Sequence, residues 1–395
     1  MSGPDTARCP SCAGAAVRVF YEVVGVPANS CILLATPEEA RGYHRGDVRL
    51  GFCPDCGFIF NTAFDAQLAE YSSRYEETQG FSPTFSKFHR RLAEELVARH
   101  ELRGKKVIEI GCGKGEFLNL LAEMGVREAV GFDPGHVPGR NEGPAADRIR
   151  FVDDFYSEKY TGESGDFVCC KMTLEHIRPT CDFVSMVRRS IGDRRDCLTY
   201  FLVPDAYRIV RDVAFEDVYY EHCSYFSRGS LARLFARAGF EILHVSTEYD
   251  GQYLAIEARP SESAPPQYRP PNDDLAEMTA LVASFPSRCS RKTSHWQTTV
   301  KDAVAAGRKV ILWGSGSKAV SFLSTLGLSH EIEHVVDINP YRQGCFMPIT
   351  AQRIVAPEFL RGYRPDLVIV MNAVYVPEIT ATLAGLGLAP EVRAL

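Results

Sequence analysis

The sequence lacks long apolar runs and an excess of basic residues, and each absence excludes a class of protein. Its 395 residues are 45% hydrophobic, yet no run of about 18 apolar residues could form a membrane-spanning helix. The first ten residues, MSGPDTARCP, show no signal-peptide pattern, so a cytoplasmic protein is expected. The net charge of −6 argues against a nucleic-acid partner, which requires a basic patch. A local arginine cluster would still be enough for a small anionic ligand.

Disulfides are not expected, although the chain contains 13 cysteines. They are spread over a large chain without export features, where thiols stay reduced. Isolated cysteines such as Cys181, Cys197 and Cys345 are interpreted as small buried residues. The exception is a set of four cysteines near the N-terminus.

Two C-x-x-C pairs, Cys9/Cys12 and Cys53/Cys56, predict a structural zinc site. A two-residue gap lets both thiolates reach one ion, and two pairs complete a tetrahedron. The spacing of about 40 residues between the pairs exceeds the usual ~15–20, so a hairpin or short sheet is expected between them. Four thiolates leave no open position for catalysis. Unmetallated or redox-active cysteines are the alternatives, and the module is expected to span residues 1–70.

A glycine-rich turn follows a buried strand at Lys106–Ile110 and precedes a helix. Its glycines, Gly111, Gly113 and Gly115, allow a ligand to approach the backbone, and the helix offers free N–H groups. Glu109 stands before the first glycine, which gives E-x-G-x-G-x-G rather than the dinucleotide fingerprint G-x-G-x-x-G. Further helices are predicted at 85–99 and 117–124, and further strands at 129–132, 149–152 and 166–170.

The glycine turn resembles motif one of the class I S-adenosylmethionine methyltransferases, in which this loop faces the methionine part of the cofactor. Asp133 ends the second strand about 20 residues later, where a carboxylate can accept both ribose hydroxyls. The resemblance implies that Asp153 or Asp154 meets the adenine amino group, with Phe155 beside it. Lys171 begins K-M-T-L-E-H-I, a segment typical of the same family and placed beside the cofactor.

The segment Tyr219–Ser227, YYEHCSYFS, is dense in ionisable groups. Alone, it is equally consistent with an aromatic strand edge that carries a surface Glu–His pair. It resembles the Y-x-E-H-x-x-Y-F-S motif of sugar C-methyltransferases of deoxysugar pathways. That family combines zinc knuckles, a class I methyltransferase core and a second Rossmann-like domain, so the resemblance covers nearly the whole chain. It implies an α/β fold with a core at residues 71–260.

The resemblance also implies residue roles. The family's substrate is a nucleotide-linked keto sugar that is methylated next to its ketone through an enolate. His222 is carried over as the base, and Tyr219 and Glu221 as ligands of the sugar oxygens or the enolate. Imidazole titrates near neutral pH and a tyrosine hydroxyl can donate to an enolate, so these roles are chemically reasonable. Tyr75 is expected near the cofactor, or packed with Tyr71 on a helix face.

A second glycine motif lies in the last third of the chain. The proline-rich stretch 261–272 is interpreted as a linker, and residues 273–395 as a Rossmann-like domain with a helix at 275–282. The strand Lys309–Trp313 leads into Gly314-Ser-Gly316-Ser-Lys-Ala319, and Asp337 follows a second strand. This pattern fits a dinucleotide fingerprint. A ligand-poor Rossmann unit that closes over the active site is the preferred interpretation.

Four hypotheses therefore remain, and the least favoured is a non-enzymatic zinc-bearing scaffold. The first is C-methylation of a nucleotide-linked keto sugar with S-adenosylmethionine, by a monomer or weak homo-oligomer. The second is methyl transfer to O, N or C of another small metabolite. The third is an NAD-dependent oxidoreductase that uses the C-terminal glycine motif.

Overall fold

The computed structural model describes residues 8–261, residue 270 and residues 273–395, and the described residues form three β-sheets. The predicted linker at 261–272 lies almost wholly outside them. The N-terminal elements are β1 Arg18–Pro27, α1 Pro37–Arg41, β2 Arg45–Phe52 and β3 Ile59–Asn61. Strands β1 and β2 form an antiparallel pair between the two cysteine pairs, with α1 in their connection, which agrees with the hairpin or short sheet expected there.

A seven-stranded sheet occupies the middle of the chain, in the order β10-β11-β8-β7-β4-β5-β6. Strands β8, β7, β4, β5 and β6 run parallel, and β11 and β10 are antiparallel additions at one edge. The elements are α2 Pro83–Arg99, β4 Lys106–Ile110, α3 Glu116–Glu123, β5 Glu128–Phe132, β6 Ile149–Val152, β7 Phe167–Lys171, α4 Thr180–Ile191, β8 Leu198–Pro204, α5 Ala206–Asp212, β9 Ser224–Tyr225, α6 Arg228–Arg237, β10 Phe240–Glu248 and β11 Tyr253–Pro260. The predicted strands agree with β4 to β7 to within one residue at each end.

The short strand β9 joins the N-terminal sheet, whose order is β1-β2-β3-β9. Ile59 pairs with Tyr225, and Phe60 pairs with Ser224. The residues just before β9 do not continue the strand, because Glu221 lies in a turn. Glu221 is fully buried and His222 is 4% exposed. The alternative of a strand edge with a surface Glu–His pair is therefore wrong.

The third sheet is parallel, in the order β14-β13-β12-β15-β16. Its elements are α7 Leu275–Ala305, β12 Val310–Trp313, α8 Ser317–Leu326, β13 His334–Val336, β14 Arg353–Val355, α9 Leu360–Tyr363, β15 Leu367–Val370, α10 Val376–Gly385 and β16 Glu391–Ala394. Helix α7 runs far beyond the predicted 275–282, since buried Phe285, Trp296 and Val300 continue the helical spacing past Pro286.

The C-terminal sheet is tied to the rest of the chain by polar contacts as well as by the core. Glu378 on α10 accepts hydrogen bonds from the Ser82 hydroxyl at 2.8 Å and the Thr84 hydroxyl at 2.7 Å. Glu378 also accepts from the Thr84 amide at 3.2 Å, which adds to the cap that Ser82 provides for the N-terminus of α2. Short 3-10 helices complete the fold at Ala66–Leu68, Ala146–Arg148, Glu158–Tyr160, Leu174–His176, Phe215–Asp217, Pro357–Phe359 and Ala373–Tyr375. Within the described part of the chain, no helix combines the length and apolar character needed to cross a bilayer.

Candidate active site

A cavity of about 610 Å³ lies at the carboxyl ends of β4, β5 and β7. Ligands of open parallel sheets bind at this edge, where loops leave the strands. The second glycine motif closes the opposite side, since Gly314, Gly316 and Arg342 line the same cavity. The site is thus built between the middle and C-terminal sheets.

The first glycine turn forms one wall of the cavity and requires glycine. All three glycines have positive φ, namely +71° at Gly111, +54° at Gly113 and +85° at Gly115. A Cβ on Gly113 would lie 2.5 Å from Glu77 Oε1, and one on Gly111 would lie 2.0 Å from Thr173 Oγ1. Gly111 and Gly113 line the cavity, whereas Gly115 is the N-cap of α3. Only glycine fits these positions without strain.

Asp133 lies at the end of β5 and lines the cavity. Its Oδ2 accepts a hydrogen bond from the Gly113 amide at 2.9 Å, and its Oδ1 accepts one from the Gly135 amide at 2.7 Å. Each oxygen retains a further lone pair for a ligand. Asp133 therefore fixes the glycine turn while it faces the space beside that turn.

Buried charges lie beneath the glycine turn. Glu109 forms an ion pair with Lys171, and both residues line the cavity. Burial raises the pKa of Glu109, and its second oxygen has no hydrogen-bond partner. Nearby, burial raises the pKa of Glu77 to about 7. Glu77 is partly exposed, and its Oε2 has no hydrogen bond but lies 3.7 Å from Lys114 Nζ. Two acids with unfilled hydrogen-bonding capacity favour a cationic ligand group.

The segment after β6 brings one of its three predicted residues to the cavity. Phe155 is 60% exposed, lines the cavity and meets Tyr71 edge to face. Asp154 instead pairs with Lys159 at 2.8 Å, and this lysine holds its pKa at about 2. Asp153 lines a separate shallow depression. The structure therefore places neither acid on the main cavity wall.

The other end of the cavity holds the predicted catalytic pair. The Tyr219 hydroxyl lies 3.0 Å from His222 Nε2, and both residues line the cavity. Burial lowers the pKa of His222 well below 6.5, with His176 and Lys318 adding to the effect. Burial therefore favours the neutral form of the imidazole, which is the form that a general base requires.

Glu221 contacts different residues from those around His222. Its carboxyl group accepts a hydrogen bond from the Ser30 amide at 3.0 Å and one from the Ser30 hydroxyl. The Tyr75 hydroxyl lies 3.4 Å from the same oxygen. Burial raises the pKa of Glu221 to about 7. Tyr75 lines the cavity but Glu221 does not, and residues 71–75 form no helix, which excludes the shared helix face.

Sequence reasoning did not select several residues at the site. His176 Nδ1 lies 2.9 Å from the Tyr71 hydroxyl, and its ring meets that of His222 at 4.7 Å. Glu175 lies beside it on the 3-10 helix Leu174–His176. Glu175 and His176 stand inside the L-E-H-I segment, which was a usable signal. Glu77 lies in a loop without any recognisable motif.

The four N-terminal cysteines converge. Cys9 Sγ lies 3.7 Å from Cys56 Sγ, and Cys12 Sγ lies 3.6 Å from Cys53 Sγ. Four sulfurs bound at about 2.3 Å around one tetrahedral zinc would be about 3.8 Å apart. The cluster therefore has the donor set and size that a zinc ion requires.

The loop of the second glycine motif is held by hydrogen bonds to Asp337. Asp337 Oδ2 accepts hydrogen bonds from the amide of Ser315, at 2.9 Å, and from its hydroxyl. Asp337 Oδ1 accepts one from the Asn339 amide at 2.8 Å. In a dinucleotide site this acid would bind the ribose. Here it fixes the loop that closes the cavity.

The chain is similar to known methyltransferases. A model described as "Methyltransferase domain" matches residues 84–245, and one described as "C-methyltransferase C-terminal domain" matches residues 273–387. C-methyltransferase NovU from Streptomyces niveus is 29% identical, over 73% of this chain and 72% of that protein. The chain is an S-adenosylmethionine-dependent methyltransferase. The second model and NovU further support a C-methyltransferase.

Solved methyltransferases also resemble part of the chain. Magnesium protoporphyrin IX methyltransferase from Synechocystis PCC 6803 is 18% identical with a TM-score of 0.35, over 45% of this chain and 84% of that chain. The 1,6-didemethyltoxoflavin-N1-methyltransferase from Burkholderia thailandensis is 19% identical with a TM-score of 0.34, over 46% of this chain and 82% of that chain. The predicted class I α/β core is confirmed for this methyltransferase.

The cavity residues fit S-adenosylmethionine. The cofactor carries a sulfonium and an ammonium group, which suit the incompletely paired acids Glu77 and Glu109. Asp133 is placed to accept from ribose hydroxyls beyond the glycine turn. These individual contacts remain predictions.

Proposed function

We propose that this methyltransferase methylates the carbon next to the ketone of a nucleotide-linked sugar. The observation that carries the proposal is the neutral, buried His222 held beside the Tyr219 hydroxyl on the cavity wall. A nitrogen or oxygen acceptor carries its own lone pair, whereas a carbon acceptor must first lose a proton. A sequestered neutral imidazole is suited to take that proton.

The roles follow from the contacts. His222 removes the proton next to the ketone, and the C–H electron pair passes into the enolate. Tyr219 donates its hydroxyl hydrogen bond toward the negative charge that develops on the enolate oxygen. Bound S-adenosylmethionine supplies an electrophilic methyl group for the enolate carbon. Tyr75 forms part of the cavity wall, and Glu221, behind that wall, holds the Tyr75 hydroxyl through their contact at 3.4 Å.

The walls of the cavity support a substrate larger than a single metabolite ring. The C-terminal glycine motif contributes one side, and Lys318 and Arg208 bring positive charge there, both paired to Asp217. A nucleotide-linked sugar carries a diphosphate that suits such a wall. The similarity to C-methyltransferase NovU and to the C-methyltransferase C-terminal domain adds support.

We also propose that Cys9, Cys12, Cys53 and Cys56 hold one structural zinc ion. The two sulfur–sulfur distances and the all-thiolate donor set support this assignment. The ion would take no part in methyl transfer, because four protein ligands leave no open coordination position.

An acceptor screen with methyl-labelled cofactor tests the proposed function. Nucleotide-linked keto sugars, the corresponding reduced sugars and unrelated hydroxyl or amine acceptors are offered in parallel. We expect label only in the keto sugars, on a carbon identified by NMR. Label on oxygen or nitrogen, with keto sugars unmodified, would favour methylation of another small metabolite instead.

A further inference from the structure

Glu175 is a buried acid that the mechanism above does not use. Its side chain is 1% exposed, and neither carboxyl oxygen has a hydrogen-bond partner. Leaving such a group unpaired in a protein interior is costly. An unpaired carboxyl group in the wall of an active site therefore indicates an electrostatic role toward an adjacent side chain.

That neighbour is His222. Glu175 Oε1 lies 3.9 Å from His222 Nε2. The Cys223 thiol also donates to the Glu175 backbone carbonyl at 3.5 Å, which holds the two segments together. Each Glu175 carboxyl oxygen exposes less than 1 Å². Glu175 stands in the cavity wall beside His222, with both carboxyl oxygens almost inaccessible to water.

We propose that Glu175 is a positioning residue for His222, orienting the imidazole and balancing the positive charge that forms when His222 accepts the substrate proton. This inference rests on the proposed function. The proton leaves the substrate carbon for the imidazole, and its bonding electrons remain in the enolate. Glu175 stays a carboxylate, so the net charge of the pair changes from −1 to zero. A buried acid that stabilises an imidazolium is a recurring catalytic arrangement.

The arrangement gives the base a distinctive pH dependence. Burial raises the pKa of Glu175 to about 8, so the pair holds one proton at neutral pH. The active form has an ionised Glu175 and a neutral His222, and it accumulates as the pH rises through about 8. Without the carboxyl group, His222 alone would titrate, below 6.5.

Other groups around Glu175 do not supply a competing charge in this range. Burial keeps the tyrosines and thiols protonated by raising their pKa, and it lowers the pKa of His176 to about 4. The titratable groups near Glu175 are His222, His176, Tyr71, Tyr219, Tyr253, Cys170 and Cys223. Lys318, which acts on His222, is paired with Asp217.

The first experiment needs no substrate. The imidazole nitrogens of the full-length protein are titrated by NMR in wild type, in Glu175→Gln and in the control Glu257→Gln, with His222→Gln used to assign the signal. Glu257 is a buried acid paired with Arg99 and His100, outside the cavity. We expect the His222 signal to shift near pH 8 in wild type and Glu257→Gln, because the adjacent Glu175 carboxyl group ionises there, and to show no step near pH 8 in Glu175→Gln. Identical His222 titrations in all three proteins would overturn the proposal.

The second experiment measures the rate at which the proton next to the ketone exchanges, over pH, for the same variants. In Glu175→Gln we expect the acidic limb to move down by more than one pH unit and the plateau to fall roughly ten- to a hundredfold, less than the ~10²–10⁴ of losing the base itself. Glu175→Asp should bring the acidic limb of the rate–pH profile part of the way back to its wild-type position. Cofactor affinity in both Glu175 variants should stay within about twofold of wild type. A lower exchange rate whose acidic limb stays at the wild-type pH, as an ordinary structural defect would give, would overturn the proposal.

The two experiments separate the possible failures. If wild type shows no exchange but the His222 titration depends on Glu175, the positioning role stands and the proposed carbon methylation fails. If wild type shows exchange but neither the His222 titration nor the pH dependence of exchange changes in Glu175→Gln, the proposed carbon methylation stands and the positioning role fails. A divalent metal bound by Glu175, His176 and His222, whose ligand atoms lie within 4.8 Å of one another, would also overturn the proposal, because it would occupy the imidazole lone pair.

Discussion

The Tyr219 hydroxyl and His222 Nε2 lie 3.0 Å apart, and this contact joins a cavity-facing phenol to an almost completely buried imidazole. Replacing His222 with alanine should therefore abolish proton exchange next to the ketone while cofactor binding stays intact. In heavy water with a cofactor analogue, we expect the exchange rate to fall by about 10²–10⁴. NMR of the substrate and calorimetry of the cofactor measure the two effects.

Two results would contradict that assignment. Full exchange in His222→Ala would move the base to Tyr219 or to His176, whose ring is 4.7 Å from that of His222. Normal methylation of a hydroxyl or amine by wild type, without any exchange, would rule out the enolate.

Tyr219→Phe should slow methyl transfer less than His222→Ala does. The change removes one hydroxyl donor and keeps the ring packing against His222 at 4.1 Å between centroids. Loss of one such donor to a developing oxyanion lowers kcat by up to ~10²–10³. Steady-state kinetics check this, with Tyr225→Phe as a control because its hydroxyl donates to the Tyr219 carbonyl at 3.4 Å and Tyr225 is not among the residues that line the cavity. Equal losses in both variants would argue against a specific role for Tyr219.

Asp133→Ala should weaken S-adenosylmethionine binding by about 1–3 kcal/mol, because charge-assisted hydrogen bonds are lost. Part of the effect is indirect, since Asp133 also fixes the Gly113 amide at 2.9 Å. Calorimetry measures it, and Asp154→Ala is the matched control because Asp154 pairs with Lys159 away from the cavity. Unchanged affinity in Asp133→Ala would remove this residue from the site.

Cys53→Ser should lower stability before it lowers the chemical rate. One thiolate of the cluster is lost, and structural zinc sites contribute directly to folding free energy. Metal analysis should give about one zinc per wild-type chain, and thermal melts should show a reduced Tm for the variant. Cys345→Ser, a half-buried thiol outside the cluster, is the control. Active wild-type protein without zinc would contradict the assignment.

Nicotinamide dinucleotides should not bind at the second glycine motif. Asp337 Oδ2 already accepts two hydrogen bonds from Ser315 and its Oδ1 accepts one from Asn339, so only one lone pair is left, whereas each oxygen of Asp133 keeps one. Calorimetry with NAD and NADP should give no binding heat, and turnover should show no change in nicotinamide absorbance. Saturable binding that Asp337→Ala abolishes would revive the oxidoreductase hypothesis.

The parts of the fold that the sequence could predict are those governed by local rules. The strand Lys106–Ile110 and its glycine turn follow from a buried apolar run and from backbone positions that only glycine can occupy. The two-residue spacing within each C-x-x-C pair likewise predicted that the two pairs converge into one cluster. Tyr219 and His222 were found through a motif, and the structure places them in contact.

The remaining features depend on contacts between distant segments. No local pattern shows that Glu221 accepts from Ser30, 191 residues away. The full length of α7 was missed because Pro286 is an ordinary helix breaker and tertiary packing overrides it. Asp153 and Asp154 were selected from their position after a strand, yet Asp154 is satisfied at the surface by Lys159.

Because β3 pairs with β9, the N-terminal cysteine module and the segment around His222 form one sheet and are not independent structural units. Ile59 and Phe60 follow the second cysteine pair by a few residues, and they pair with Tyr225 and Ser224, which are separated from His222 by Cys223 alone. A chain cut at residue 70 would leave the backbone of the catalytic segment with an open edge. Transplanting the acceptor specificity of this enzyme into another methyltransferase would therefore require both pieces to be moved as one block.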